Sequence, residues 1–174
     1  MPKNYEIKSF VKSIEYIREV TRRLVKNKTH KHYKEFQKDI YYKIDKDRLK
    51  LRIINNETGN LIFYDRKEHN KKRVSNYIIS ETKNFKELDE ILKKLFDIFV
   101  VVDKEREIFI YDNIRIHLDK VKKLGSFLEI EIIYDSFKEA KKTMNELIKY
   151  FNLEEKDFIK ESYSDMLTRK SKYF

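Results

Sequence analysis

Hydrophobic positions along the chain follow two different periods. In three stretches they recur every three or four residues. Ile14, Ile17, Val20, Leu24 and Val25 form one stripe after Ser13, which suits a helix N-cap. Asn84 with Glu87, and Ser136 with Glu139, set a capping-box spacing ahead of two more stripes. The first carries Phe85, Leu88, Ile91, Leu92, Leu95 and Phe96; the second carries Phe137, Ala140, Met144, Leu147, Ile148 and Phe151. A shorter helix is predicted from Ser162 towards Lys170. Elsewhere Ile, Val, Phe and Tyr alternate with polar residues, which predicts strands near 3–11, 35–44, 47–54, 61–67, 73–81, 99–110, 113–119 and 127–134. Asn56–Asn60 reads as a hairpin loop with Gly59 supplying positive φ, and Tyr111-Asp112-Asn113 as a tighter turn. Gly125 ends the connection 120–124. About eight mostly antiparallel strands with appended helices make an α+β arrangement in a single domain, 1–174.

The polar halves of these strands carry the chemistry. Residues i, i+2 and i+4 share a strand face. Asn4, Glu6 and Lys8 share one, as do Arg48, Lys50 and Arg52. Tyr64 pairs with Arg66, and Lys104 with Arg106. Arg115, His117 and Asp119 lie opposite Ile114, Ile116 and Leu118; Glu129 and Glu131 lie opposite Leu128, Ile130 and Ile132. A solvated sheet face would mix charge with Ser, Thr and Gln. These faces are nearly all charged, with cations on the middle strands and carboxylates on the first and last. The second arrangement is a closed barrel of about eight strands, with the charged faces lining its lumen and the apolar faces against helices. Cations for phosphates beside carboxylates for a hard divalent ion are the parts of phosphoryl or nucleotidyl transfer.

Composition narrows the chemistry. Two glycines rule out a P-loop, a GxGxxG cradle and a GxSxG elbow, and the absence of cysteine removes thiolate sites and disulfides. Charged residues make up 40% of the chain and the net charge is +10, which favours a polyanionic partner. No apolar signal core follows Met1-Pro2-Lys3, and no run of about 18 apolar residues exists. These features predict a cytoplasmic protein with no membrane partner.

The run Arg115-Ile116-His117-Leu118-Asp119-Lys120-Val121-Lys122-Lys123-Leu124-Gly125-Ser126-Phe127-Leu128-Glu129-Ile130-Glu131 closely resembles a motif of the CYTH superfamily, the triphosphate tunnel metalloenzymes. That superfamily includes class IV adenylyl cyclases, thiamine triphosphatases and inorganic tripolyphosphatases. Other segments match in order: Asn4–Lys8 with ExExK, Gln37–Tyr42 with QxDxYY, Arg48–Arg52 with RLRLR, Lys104–Arg106 with KxR, and Ser162–Leu167 with SYxDLL. The cyclase-like branch looks nearer than the thiamine triphosphatases.

The resemblance implies a closed eight-stranded antiparallel barrel and a divalent metal, Mg²⁺ or Mn²⁺. It implies metal ligation by Glu6, Glu129 and Glu131, with Asp119 close by. Phosphate binding falls to Lys8, Lys50, Arg52, Arg66, Lys104 and Arg106, joined by Arg115 and His117. Glu6, Lys8 and Glu131 would be catalytic. The substrate would be ATP, tripolyphosphate or thiamine triphosphate, and the protein a homodimer. One departure stands out: the first acid of ExExK is Asn4. It motivates a second reading, a nucleotide- or polyphosphate-binding module with little turnover. A third reading, an RNA-binding protein with an external basic face, turns on where the cations point; no zinc finger or RRM-type aromatic pattern supports it.

The remaining polar residues have plainer readings. His30 and His32 are expected in a solvated Lys-rich loop, and His69 in a loop whose cations either recruit polyphosphate or are simply solvated. Tyr41, Tyr42 and Tyr77 are expected to pack rather than stack on a base. Phe99–Val102 reads as core strand.

Overall fold

The computed structural model describes residues 3–64, 68, 69, 72, 73 and 77–171, with side chains for 4–64 and 78–170. Arg66 and the side chains of His69 and Tyr77 lie outside the described residues. In chain order the elements are β1 (Lys3–Phe10), α1 (Ile14–Val25), β2 (Lys31–Tyr42), β3 (Arg48–Ile54), β4 (Thr58–Tyr64), β5 (Glu68–His69), β6 (Lys72–Arg73), β7 (Tyr77–Thr82), α2 (Phe85–Leu95), β8 (Ile98–Tyr111), β9 (Ile114–Val121), β10 (Gly125–Tyr134), α3 (Phe137–Tyr150) and α4 (Tyr163–Ser171). Eight strands form one antiparallel sheet in the order β1-β10-β9-β8-β2-β3-β4-β7, and β5 and β6 form a small ribbon. The expected closure of the sheet into a barrel is not seen among the described residues.

Contacts divide the chain into two compact units, Met1–Lys34 with Glu105–Glu161, and Glu35–Lys104 with Ser162–Phe174. In the first, α1 packs on β9 and β10, and α3 on β10 and β1. Ser13 caps α1 by accepting from the Tyr16 N–H, and Ser136 caps α3 by accepting from the Glu139 N–H. The core joins Ile14, Ile17 and Val20 of α1 and Met144 and Leu147 of α3 to Ile114, Ile116, Leu118, Ile130 and Ile132 of the sheet. Ile116 and Ile130 are paired across the ladder and fully buried, each worth about 1.5–3 kcal/mol of apolar burial. In the second unit, Ile40, Tyr42 and Leu51 pack with Leu88, Leu92 and Phe96 around α2. The Tyr42 hydroxyl donates to Asp89 at 2.8 Å, so Tyr42 packs as expected.

Four local expectations change. The β3–β4 hairpin turns on Asn55 and Asn56, at φ 52° and 57°, and not on Gly59. Asn is among the few side chains that adopt this left-handed conformation readily. Gly59 lies inside β4, where a Cβ would stand 2.4 Å from the Cβ of Phe85, so it is small because α2 presses on it. Asn84 begins α2 without a side-chain cap bond; its N–H instead donates to the Thr82 hydroxyl at 3.0 Å. Finally, β2 starts at Lys31, which takes His32 out of the expected loop. Its ring stacks on Phe109 at 4.1 Å and its Nε2 meets the buried Glu107 carboxylate at 2.8 Å. Phe99, expected in the core, is 40% exposed at the start of β8, while Val102 is buried.

Gly59→Ala is expected to destabilise the fold by about 1–3 kcal/mol through overpacking against α2, read as a lower urea midpoint at unchanged slope. Retained stability would show that α2 can shift away from β4.

Candidate metal and phosphate site

Most of the charged side chains on the inner strands are buried, so the solvated-face reading fails for them, while Asn4 and Glu6 of β1 are exposed. In the first unit Lys8, Arg106, His117, Asp119 and Glu129 are all at most 9% exposed. The ladder register sets them in rows. Glu6 lies opposite Glu131, which lies opposite Arg115; Lys8 lies opposite Glu129, which lies opposite His117. The period-two reading of these residues therefore describes real neighbours.

The acids are held differently. Asp119 is fully buried, and Arg106 donates to both its oxygens, at 2.7 and 2.5 Å. The same guanidinium reaches Glu129 at 2.6 Å, and Lys8 stands 3.2 Å from the other Glu129 oxygen. Glu131 accepts from the Asn4 amide at 2.7 Å and lies 3.5 Å from Arg115. Glu6 has no ion pair within 4.0 Å among the described residues. Solvent reaches its side chain although protein atoms crowd it. That crowding, followed by the charge of Glu129, pushes its carboxyl up to about 6; Lys8 opposes the shift. His117 is pushed the other way, below its ordinary value, by burial and then by Arg106, against the pull of Glu129. Its Nδ1 lies 3.5 Å from Glu129 and has no hydrogen-bond partner among the described residues.

The second unit is organised by an acid that the sequence reading did not single out. Asp39 is 2% exposed and accepts from Arg52 at 2.7 and 2.8 Å and from Lys50 at 2.8 Å. Burial alone would raise its carboxyl, but Arg52 and Lys50 hold it well below the usual range. Burial lowers Lys50 from its ordinary value despite Asp39, and burial also pushes Tyr41 and Tyr64 up to about 12. Lys104 sits 5.4 Å from the Tyr163 ring centre. Arg48 donates to Asp165 at 2.7 Å and to the Ser164 hydroxyl at 3.2 Å, where α4 begins. Ser162 and Asp165 bond each other's backbone N–H, a capping box that gives the SYxDLL match a structural meaning. Asp39 was visible in the sequence as the acid opposite Arg52 once β2 and β3 are paired. Glu107 was also missed; it is buried beneath Arg18, His32 and Lys34 on the other side of β8 from Arg106.

The two groups differ in sign. The first sets Glu6, Asp119, Glu129 and Glu131 against Lys8, Arg106 and Arg115, an acidic excess. The second sets Lys50, Arg52 and Lys104 around Asp39, a cationic excess. Among the described residues no three His, Asp or Glu side chains are already gathered into a metal cage.

The CYTH domain family model matches residues 2–163, and the chain belongs to that family. It is similar to the PH1012 protein of Pyrococcus horikoshii, at 26% identity over 94% of this chain and 98% of that one, with a TM-score of 0.81. A conserved hypothetical protein of Pyrococcus furiosus is 25% identical over 94% and 99%, with a TM-score of 0.79. A proposed adenylate cyclase of Vibrio parahaemolyticus shares the fold at 20% identity over 95% and 97%, with a TM-score of 0.69. No curated protein matches the chain. Among the described residues no helix is long and apolar enough to cross a membrane.

Glu6 gives a pH signature. Its folded pKa lies above the unfolded value, so the folded state binds more protons between about 4.5 and 6 and stability falls as pH rises through that window. Glu6→Gln should therefore raise the melting temperature of the metal-free protein at pH 7.5 and change it little at pH 4.5. An equal gain at both values would mean that charge at Glu6 is not what strains the site.

Proposed function

We propose that this protein is a divalent-metal-dependent enzyme that acts on a triphosphate. The carrying observation is the pair of buried charge groups of opposite excess in a CYTH chain. Buried charge is stable only when it is matched. The acidic group calls for a cation, and the cationic group calls for phosphate. The closed tunnel that the family resemblance implies is part of this proposal.

Glu6, Glu131 and Glu129 fit a hard divalent ion. Glu6 has no ion pair within 4.0 Å among the described residues and faces Glu131 across the ladder, a like-charge juxtaposition that a cation between them would relieve. A preassembled cage is not required, because Mg²⁺ commonly takes one or two carboxylates and completes its shell with water and phosphate oxygens. Asp119 gives both oxygens to Arg106, so its part is to hold that guanidinium flat beside Glu129. When bound, Mg²⁺ or Mn²⁺ would polarise a phosphoryl oxygen and neutralise developing charge. Lys8, Arg106, Lys50, Arg52 and Lys104, with Arg66, would take nonbridging oxygens and stabilise charge on them in the transition state. His117 and Arg115 occupy the same rows as Glu129 and Glu131 and would orient the ligand.

Two reactions suit this arrangement. Hydrolysis brings water onto the terminal phosphorus; the bridging P–O bond breaks, the diphosphate departs as the leaving group, and the terminal group is released as inorganic phosphate. Cyclisation brings the ribose 3′-hydroxyl of ATP onto the α-phosphorus, and pyrophosphate leaves. The similarity to the proposed adenylate cyclases of Vibrio parahaemolyticus and Bacillus halodurans supports keeping the second beside the first. A weakly active binding module is the alternative, and Asn4 favours it. Its amide supplies a donor to Glu131 where the family pattern has an acid.

The deciding experiment offers tripolyphosphate, ATP and thiamine triphosphate with Mg²⁺ or Mn²⁺ and measures phosphate, pyrophosphate and cyclic AMP. Metal-dependent release from one substrate is expected, reduced at least tenfold by Glu131→Gln. Asn4→Glu should raise a slow natural rate by restoring a fourth acid. Tripolyphosphate should raise the melting temperature more than orthophosphate at matched ionic strength. Stabilisation without turnover would identify the binding module; neither effect would end the proposal.

A further inference from the structure

The charge pairing in the second unit leaves one buried polar group over. Gln37 of β2 is 4% exposed. Strand alternation puts it on the face of Glu35, Asp39 and Tyr41, while Ile40 and Tyr42 turn the other way into the core around α2. Two residues of strand, about 7 Å, separate Gln37 from Asp39, the acid that holds Arg52 and Lys50.

The Gln37 amide uses only one of its two ends. Its Nε2 donates to the Glu35 carboxylate. An ionised carboxylate only accepts, so this bond fixes which end of the amide is the nitrogen. The Oε1 is buried and has no hydrogen-bond partner among the described residues. The ladder explains why. Gln37 lies opposite Ile54, whose side chain has nothing to donate, and two cations of β3 on that face, Lys50 and Arg52, donate to Asp39. Buried side-chain acceptors are paired in most folded proteins, and an unpaired one costs stability.

An amide oxygen needs a donor. The ionised oxygens of a triphosphate only accept, so inorganic tripolyphosphate has little to offer it. A hydroxyl or an amino group does have a proton to give. The face therefore changes character over two residues of one strand. At Asp39 it presents the donors of Lys50 and Arg52, suited to anionic oxygens; at Gln37 it presents an acceptor, suited to a neutral donor.

We propose that Gln37 is a specificity residue, which selects a triphosphate ester carrying a hydroxyl or amino donor, a nucleoside triphosphate, over inorganic tripolyphosphate. The phosphates meet Lys50 and Arg52, and the organic part donates to the Gln37 Oε1. Glu35 is a positioning residue that keeps the acceptor end of the amide presented. This inference rests on the triphosphate reading of the same site and adds the class of triphosphate to it.

The test is calorimetric titration of the full chain in EDTA, where no metal-dependent turnover competes. The ligands are tripolyphosphate, ATP, 2′,3′-dideoxy-ATP, which lacks the ribose hydroxyls, and purine riboside 5′-triphosphate, which lacks the amino group. At least one of the two analogues should bind the natural protein about tenfold or more weakly than ATP does, because it leaves the buried oxygen unpaired. Gln37→Leu keeps a similar volume and removes the acceptor. It should lower the ratio of ATP to tripolyphosphate affinity by about tenfold or more, and the analogue should lose its disadvantage in it. Whichever loss vanishes in that variant names the donor as hydroxyl or amine. Glu35→Leu frees the amide to turn over and should lower the same ratio with Gln37 still present. If Gln37→Leu fails to fold, the analogue comparison on the natural protein still decides. Equal binding of ATP and both analogues would overturn the inference and leave the triphosphate reading standing. Equal losses for ATP and tripolyphosphate in Gln37→Leu would overturn it too, making Gln37 a structural residue. If none of the four ligands binds, in EDTA or with Mg²⁺, the triphosphate reading itself falls and this inference falls with it.

Discussion

Everything in the candidate site depends on burying charge on one face of a sheet whose other face is the hydrophobic core. Along β9 and β10 the two faces alternate residue by residue. Ile116 and Ile130 go to the helices; His117 and Glu129 go to the charged side. A one-residue slip would put carboxylates into the core and isoleucines among the cations. Apolar burial and ladder register therefore place the charged groups, and the charged groups need not stabilise the fold themselves. That separation lets a family keep the frame while individual charges vary, as Asn4 does here.

The two buried aspartates show how the frame carries so much charge. Asp119 and Asp39 each receive an arginine through two hydrogen bonds, the planar geometry that an Arg–carboxylate pair prefers. Each pair holds a guanidinium in place with part of its hydrogen-bonding capacity engaged. Arg106 uses the same terminal nitrogen for Asp119 and Glu129 and so links a structural acid to one proposed to meet a metal. The carboxylates divide accordingly: the aspartates anchor cations, while Glu6 and Glu131 face each other.

Much of this was legible in the chain. Period-two alternation located the strands and put Glu129, Glu131, Arg115 and His117 on one side, because a strand has only two faces. Helix caps at Ser13 and Ser136 were legible because a hydroxyl at that position has one local use. What failed needed a contact between distant segments. Gly59 looked like a turn residue, and only the approach of Phe85 explains it. His32 looked solvated until Glu107 and Phe109, far along the sequence, were brought beside it. Asp39 was in a matched motif, but its role appears only when β2 and β3 are in register.

Asn4 is where frame and chemistry meet. An acid at that position would add a carboxylate beside Glu131, whose ladder partner Glu6 already lacks a counterion among the described residues. The amide instead donates to Glu131 and adds no charge. It therefore lowers the repulsion that a metal would otherwise have to relieve. The same change removes an anionic oxygen that would attract a second ion. Glu6 keeps its mismatch, visible as a carboxyl pushed up to about 6, so the demand for one cation persists. A neutral amide in this place thus favours a site balanced by a single metal, with the phosphate chain completing its shell.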